Sequence, residues 1–230
     1  PIILAFEAST KQLSVAVYMS GSVLAMQKIE APFGQAAELV PLAIRTLADV
    51  GLEFSNLSHV AAGCGPGSFT GLRVSLAAAK GLCLAQDIIG VGISGLEALA
   101  FSSVGVSNGL PILCIADTRR GNVYAQLFAS NMKPHGIIFE AQIDQLPFLV
   151  PAPICAGGLM LAGFGGVAAK MAFAANGLAA MPVCFGNDQD TLIVDAGLIA
   201  TMAANKIMLG VLPPLIPLYL ANPRLGPKKK

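Results

Sequence analysis

A glycine-rich segment follows an apolar run and reads Gly65-Pro66-Gly67-Ser68-Phe69-Thr70-Gly71-Leu72-Arg73. Glycine adopts positive φ freely and proline fixes its own φ, so the segment predicts a tight loop with accessible backbone. Val60–Gly63 before it predicts a buried strand, and Leu72–Gln86 after it predicts a helix with Ser68 or Thr70 as N-cap. This arrangement suits either an anion-binding loop or a structural turn of an α/β fold. The loop lacks the Lys-Ser/Thr pair of a Walker A motif, and it contains no Gly-x-Ser-x-Gly motif.

The composition is strongly apolar. Of the 230 residues, 55% are hydrophobic and 12% are charged, whereas about 25% are charged in an average domain. The length suits one large domain or two small lobes. The scarcity of charge fits either a partner that covers apolar surface or a small core rich in alanine and glycine.

The charge distribution argues against direct binding to nucleic acid. The formal net charge is +1, and without Lys228, Lys229 and Lys230 the body carries 11 basic and 13 acidic residues, a charge of −2. No basic stripe with interleaved aromatic residues is present. If the chain serves RNA chemistry, we expect a partner to hold the RNA.

The remaining composition indicates a cytoplasmic protein without a metal site. The five cysteines are scattered with no Cys-x-x-Cys pair, and the two histidines, His59 and His135, lie far apart. The first residues carry no basic region typical of a signal peptide. The charge-free stretch 145–169 is long enough to span a bilayer, but its prolines and glycines argue against a membrane helix.

The first hundred residues predict a lobe of strands followed by helices. The predicted elements are strands at Ile2–Ser9, Leu13–Ser20, Val23–Glu30, near Val60 and at Ile88–Val91, with helices over about Gln35–Val50, Leu72–Gln86 and Ser94–Ser103. We expect Pro41 to kink the first helix or to mark its first turn.

The second half of the chain repeats this pattern. The predicted elements are strands at Ile112–Asp117, Val123–Ser130, Gly136–Glu140 and Ile154–Ala156, then the pair Gly157-Gly158, a helix that ends at about Ala175 and a last helix near Thr191–Asn205. Three strands followed by helices, twice over, are typical of the actin, Hsp70 and sugar-kinase class. We therefore predict an α/β, two-lobed, actin-like ATPase fold (ribonuclease H-like) with a degenerate nucleotide cleft. The predicted domains are lobes at 1–104 and 105–190, a helix at 191–206 that packs back on the first lobe, and a flexible basic tail at 221–230.

Residues 65–73 resemble the signature of the TsaB (YeaZ) family. Ile2–Thr10 is similar to the opening strand of that family, and Asp117–Tyr124 is similar to its Asp-Ala-Arg-Arg-Gly-Glu-Val-Tyr segment. Pro217–Leu220 is similar to its C-terminal Pro-x-Tyr-Leu. The resemblance covers most of the chain and is weakest over residues 150–205.

The resemblance implies a non-catalytic partner in the synthesis of threonylcarbamoyladenosine in tRNA. Such a chain would bind and stabilise a TsaD-type catalytic subunit, with a TsaE-type ATPase joining them, and would form a homodimer when alone. It would need no cofactor of its own, and ATP or ADP would bind only at an interface with partners. The alternative is an enzyme: a nucleotide-dependent member of the actin-like or sugar-kinase class, or a glycoprotease-like hydrolase.

Six residues occupy positions that the actin-like class uses to bind nucleotide. Glu7, Ser9 and Thr10 are predicted at the first phosphate turn, Asp117 at the second, and Gly157 and Gly158 at the adenosine turn. Carboxylates and hydroxyls could hold a Mg²⁺-bound triphosphate. However, Glu7 is one methylene longer than the usual aspartate, which favours a degenerate remnant of the cleft.

The helix after the glycine-rich loop carries two apolar stripes. Such a helix is either enclosed within its own fold or packs one stripe on the sheet while the other docks a partner. The family resemblance favours docking, and the predicted interface residues are Leu72, Val74, Ser75, Ala78, Ala79 and Leu82.

Overall fold

The structure, a computed structural model, describes residues 1–10, 12–30, 34–118, 120–154, 156–182 and 194–220. Cys155, Cys184, the predicted start of the last helix at Thr191 and the predicted basic tail at 221–230 lie outside the described residues.

The first sheet has five strands in the order β3-β2-β1-β4-β5. Its strands are β1 (Ile3–Glu7), β2 (Gln12–Met19), β3 (Ser22–Glu30), β4 (His59–Gly63) and β5 (Ile89–Ile93). Strand β2 runs antiparallel to β1 and β3, while β4 runs parallel to β1 and β5. All five residues of β1 are buried, as expected for a central strand.

The second sheet repeats the first. Its order is β10-β9-β6-β7-β8, with β6 (Ile112–Asp117), β7 (Val123–Phe128), β8 (Pro134–Ala141), β9 (Leu159–Gly163) and β10 (Ala180–Pro182). Strand β6 corresponds to β1, since each pairs antiparallel on one side and parallel on the other. The repeated order confirms the predicted two-lobed α/β fold of the actin-like class.

Six helices cover the two sheets in the described part of the chain. They are α1 (Gln35–Ala48), α2 (Phe69–Gln86), α3 (Gly95–Ser107), α4 (Leu146–Leu149), α5 (Gly166–Ala175) and α6 (Ala196–Met208). Pro41 lies inside α1, beyond its first turn, and the helix continues past it. Among the described helices, none is both long enough and apolar enough to cross a bilayer.

The helices pack on both faces of each sheet and form four hydrophobic clusters with them. Helices α1 and α2 cover one face of the first sheet, and α6 covers the other. Helix α3 follows the first sheet in the chain but packs on the second, where Leu96 and Leu99 contact Cys114 and its neighbours. Helices α4 and α5 cover the far face of the second sheet. The chain therefore crosses between its lobes at α3 and again before α6.

One predicted strand is wrong. Ile154 and Ala156 lie in turns, and the strand follows the glycine pair rather than preceding it, at Leu159–Gly163. The reason is that the longer apolar run Leu159–Ala162 pairs with β6, which places Gly157 and Gly158 at the start of the strand.

Candidate functional site

The glycine-rich loop packs directly onto the turn that follows β1. Ser68 N–H donates to Ser9 O at 2.8 Å, and a Cβ at Gly67 would lie 2.6 Å from Ser9 Cβ. A Cβ at Gly71 would overlap the carbonyl oxygen of Ala8. The glycines thus let α2 begin in contact with the first turn. The Ser68 hydroxyl caps this helix by accepting from Gly71 N–H at 3.3 Å, as its sequence position predicts.

An open apolar groove lies between α1 and α2. Its volume is about 470 Å³, and its lining residues are Ala36, Leu39, Val40, Phe69, Thr70, Arg73, Val74, Ala77 and Ala78. Among the described residues of this lining, Arg73 is the only charged one. The surface of α1 and α2 also exposes Val40, Ile44 and Leu84, the last with 88% of its area accessible. An apolar surface of this kind is typical of a site where another protein packs.

The six predicted interface residues divide between the two sides of α2. Leu72, Ser75 and Ala79 are between 0% and 2% exposed and belong to the interior of this chain, so their prediction as interface residues disagrees with their burial. Ser75 satisfies its hydroxyl within the helix by donating to Leu72 O at 3.2 Å. Val74, Ala78 and Leu82 are half-buried, and of these Val74 and Ala78 line the groove. The groove residues on α1 were not predicted, although the apolar spacing of Ala36 and Val40 was visible in the sequence.

Glu7 does not present its carboxylate to the space between the lobes. The side chain is 1% exposed, its Oε1 accepts a short hydrogen bond from Ser9 N–H, and its Oε2 has no partner among the described residues. The carboxylate fills the space beside Gly63, where a Cβ would overlap it. Burial raises the pKa of Glu7 from its ordinary 4.5 to about 7, the hydrogen bond from Ser9 opposes this shift and the charge of Asp195 adds to it.

The other predicted cleft residues lie in the turn after β1 or at the end of β6. Thr10 Oγ1 donates to Gln12 O at 3.1 Å, and Ser9 is 8% exposed. Asp117 is half-buried at the end of β6. These placements bring Glu7, Ser9 and Thr10 together after β1, with Asp117 at the equivalent position of the second lobe.

Gly157 and Gly158, which are predicted at an adenosine turn, lie at the opposite end of the second sheet from Asp117. Gly157 and Gly158 precede β9, and a Cβ at Gly158 would lie near Leu110, at the start of β6. Gly163, Gly165 and Gly166 instead occupy the turn between β9 and α5, beside the end of β6 that carries Asp117. Sequence reasoning missed them, although their dense spacing after an apolar run was a usable signal.

These residues do not fit a Mg²⁺-bound nucleotide. The carboxylate that would hold the metal's water at the first turn points into the first lobe, and the turn itself is covered by the glycine-rich loop. Within the described residues, no three His, Cys, Asp or Glu side chains form a group that could hold a metal ion.

A Gly-x-Ser-x-Gly spacing occurs at Gly105-Val106-Ser107-Asn108-Gly109. In hydrolases with this motif the serine precedes a helix and its hydroxyl is exposed. Here Ser107 is the last residue of α3, is 5% exposed, and donates its hydroxyl hydrogen bond to Val104 O at 3.1 Å. The geometry is therefore not that of a nucleophile.

Comparison with known proteins agrees with this structure. The family model described as "TsaD: tRNA N6-adenosine threonylcarbamoyltransferase" matches residues 35–153, just over half of the chain. The chain is similar to the tRNA threonylcarbamoyladenosine biosynthesis protein TsaB of Escherichia coli K12, with 31% identity over 122 residues, which cover 53% of this chain and 52% of that protein. The protein of the same name from Bacillus subtilis 168 is 32% identical over 143 residues, which cover 62% of this chain and 60% of that protein. The chain thus aligns with about half the length of the curated relatives it matches.

Solved structures agree over nearly the whole length. YeaZ from Pseudomonas aeruginosa superposes with a TM-score of 0.74 at 24% identity, covering 95% of this chain and 99% of that one. A second Pseudomonas aeruginosa structure, described as similar to peptidase YEAZ, gives a TM-score of 0.77 at 22% identity, with 96% and 99% coverage. At these identities the likeness establishes the fold. Because its model matches more than half of the residues, the chain belongs to the family described as TsaD, tRNA N6-adenosine threonylcarbamoyltransferase, and it is similar to TsaB (YeaZ) proteins in sequence and fold.

Proposed function

We propose that this protein is a non-catalytic partner subunit in the transfer of a threonylcarbamoyl group to tRNA adenosine. The apolar groove between α1 and α2 is the observation that carries the proposal, because its described lining offers a second protein an apolar surface with one charge. The names of the curated relatives place those proteins in threonylcarbamoyladenosine biosynthesis, and the matching family model describes the transferase itself.

In this proposal the groove binds a TsaD-type catalytic subunit and stabilises it. A TsaE-type ATPase joins the complex, and the isolated chain forms a homodimer through the same groove. The tRNA is held by the partners, since the body of this chain has a net charge of −2. The buried carboxylate of Glu7 and the covered first turn support the absence of a nucleotide site belonging to this chain alone.

The proposal is tested in cells that depend on this protein. The chromosomal gene is replaced by the Ala78→Glu variant, and threonylcarbamoyladenosine is measured in total tRNA by nucleoside mass spectrometry. We expect the modified nucleoside to fall sharply and the TsaD-type subunit to stop co-purifying, while the wild-type gene restores both. Normal levels of the nucleoside in cells depleted of this protein would overturn the proposal.

A further inference from the structure

The segment after α6 crosses the first lobe as an extended strap. Residues 211–220, here called the C-terminal strap, form neither helix nor strand. Gly92 N–H donates to Pro213 O at 2.8 Å, beside edge strand β5, and Leu218 N–H donates to Cys64 O at 2.8 Å, where the glycine-rich loop begins. The strap thus runs from the edge of the sheet to the start of that loop.

Two glycines of β5 form the seat of this strap. A Cβ at Gly90 would overlap the side chain of Leu215, and a Cβ at Gly92 would overlap the carbonyl oxygen of Pro214. Leu215 is only 7% exposed and joins the core beneath α1 and α2. The position of the strap is therefore fixed by packing as well as by hydrogen bonds.

The end of the strap contacts the first turn of α2. The ring centroids of Tyr219 and Phe69 lie 5.3 Å apart. The guanidinium carbon of Arg73 lies 3.9 Å from the Phe69 centroid and 5.9 Å from the Tyr219 centroid, and Arg73 Nε donates to the Tyr219 hydroxyl at 3.1 Å. Two sequence signatures separated by 146 residues therefore form one cluster, in which Arg73 is held by two aromatic rings.

Arg73 is also the charge at the groove. No carboxylate of a described residue forms an ion pair with it, since the ion pairs among those residues are Lys28–Asp195, Arg120–Glu140 and Lys206–Glu97. Of its five N–H groups, one is used by Tyr219, and no other described residue forms a hydrogen bond with its terminal nitrogens. A guanidinium held in one orientation loses less conformational freedom when it binds a carboxylate.

We infer that the C-terminal strap, through Tyr219, holds Arg73 as the ionic anchor of the groove, and that the docking partner supplies an apolar surface carrying a carboxylate at this point. The inference rests on the proposed function, because the TsaD-type subunit is the partner that fills the groove. The apolar lining selects an apolar surface, and the single positive charge sets its register. Tyr219 is accordingly a positioning residue, and Arg73 is the one that contacts the partner.

The test measures the affinity of the full chain for the TsaD-type subunit of the same organism by calorimetry at two salt concentrations. We expect Arg73→Ala to weaken binding by about tenfold and to flatten its salt dependence. Arg73→Lys should recover the salt dependence but only part of the affinity. Tyr219→Phe, which keeps the ring and the net charge, should weaken binding about threefold and add nothing in the Arg73→Ala background.

A matched control exists in the second lobe. Arg120 Nη2 donates to the Tyr124 hydroxyl at 2.7 Å, so Arg120→Ala and Tyr124→Phe remove an arginine–tyrosine hydrogen bond away from the groove, the former together with the ion pair to Glu140. Both should bind like wild type. If Ala78→Glu abolished binding but Arg73→Ala and Tyr219→Phe kept wild-type affinity and salt dependence, the inference about Arg73 would be overturned and the groove would remain the docking site. If Ala78→Glu also bound normally, the groove itself would be excluded and the proposed docking would fail with it.

Discussion

The carboxylate of Glu7 occupies the space that a side chain at position 63 would need. Glu7 ends β1 and Gly63 ends β4, two parallel neighbours, and a Cβ on Gly63 would overlap Glu7 Oε2. Position 63 therefore accepts glycine because position 7 is a glutamate that turns inward. The glycine-rich loop that leads into α2 begins two residues after Gly63, at Gly65.

Gly63→Ala should destabilise the protein by about 1–3 kcal/mol, because the added methyl group overpacks a filled pocket. Combining it with Glu7→Ala, which empties the pocket, should cost less than the sum of the two single changes. Chemical denaturation of the four proteins measures this coupling. Strictly additive losses would show that the two residues do not share the space.

The contribution of Glu7 to the stability of the protein should fall as pH rises from about 4.5 to about 7. The pKa of Glu7 is raised to about 7 in the folded state from an ordinary 4.5, so the folded protein binds the proton more tightly than the unfolded chain. This contribution is fully present below pH 4.5 and is lost as pH rises through about 7. The shift corresponds to about 3 kcal/mol.

Glu7→Gln isolates this contribution. Burial lowers the pKa of His59, so that group acts in the opposite sense, with stability rising as pH rises. The difference in unfolding free energy between wild type and Glu7→Gln, followed from pH 4.5 to pH 8, removes the effect of His59. A difference that does not change with pH would contradict the raised pKa.

Charges placed on adjacent residues of α2 should have different effects. Ala79 is 0% exposed in the core, so Ala79→Glu should unfold the protein. Ala78 lines the groove, so Ala78→Glu should stay folded while losing both self-association and the TsaD-type subunit. Size-exclusion chromatography with circular dichroism separates the two outcomes. Two folded variants that both bind would exclude this helix as the interface.

The isolated chain should not hydrolyse ATP or peptides. The first turn buries its carboxylate, and Ser107 of the Gly-x-Ser-x-Gly spacing lies at a helix end with its hydroxyl bonded to Val104 O. Phosphate-release and peptidase assays with the purified chain measure this. Saturable ATP hydrolysis that disappears in Asp117→Ala would instead support the nucleotide-dependent enzyme.

Binding of tRNA to the isolated chain should be weak at physiological salt. The body of the chain has a net charge of −2 and offers few cations to replace counterions. Electrophoretic mobility shifts with full-length protein and with a variant lacking residues 228–230 measure it. Sub-micromolar binding that survives removal of the three lysines would refute the prediction.

Local patterns were sufficient to predict most of the fold. The buried run of β1, the hairpin β2–β3 and the cap at Ser68 depend on neighbouring residues, and each lies where the sequence places it. The failed strand at Ile154–Ala156 had too few apolar residues to compete with Leu159–Ala162 for pairing with β6. Burial on α2 was harder to assign, because an almost wholly apolar helix carries no sequence mark of which side meets the sheet.

The candidate site was less predictable because it depends on contacts between distant residues. The contact between Tyr219 and Arg73 joins residues 146 positions apart, and no local periodicity indicates it. The inward rotation of the Glu7 side chain likewise depends on a distant position, because the absence of a side chain at Gly63 leaves the space that its carboxylate fills. Both features arise from packing between elements.

The C-terminal strap also has a consequence for how copies of this protein meet one another. Strand β5 is an edge strand of the first sheet, and an uncovered edge strand readily pairs with strands of other chains to form extended aggregates. The carbonyl oxygen of Pro213 accepts the hydrogen bond that Gly92 N–H could otherwise donate to a strand of another chain, and Leu215 fills the space above Gly90. Loss of the strap would leave edge strand β5 open to pairing with a strand of another chain. A truncation at residue 210 should therefore favour insoluble, sheet-mediated polymers over defined complexes.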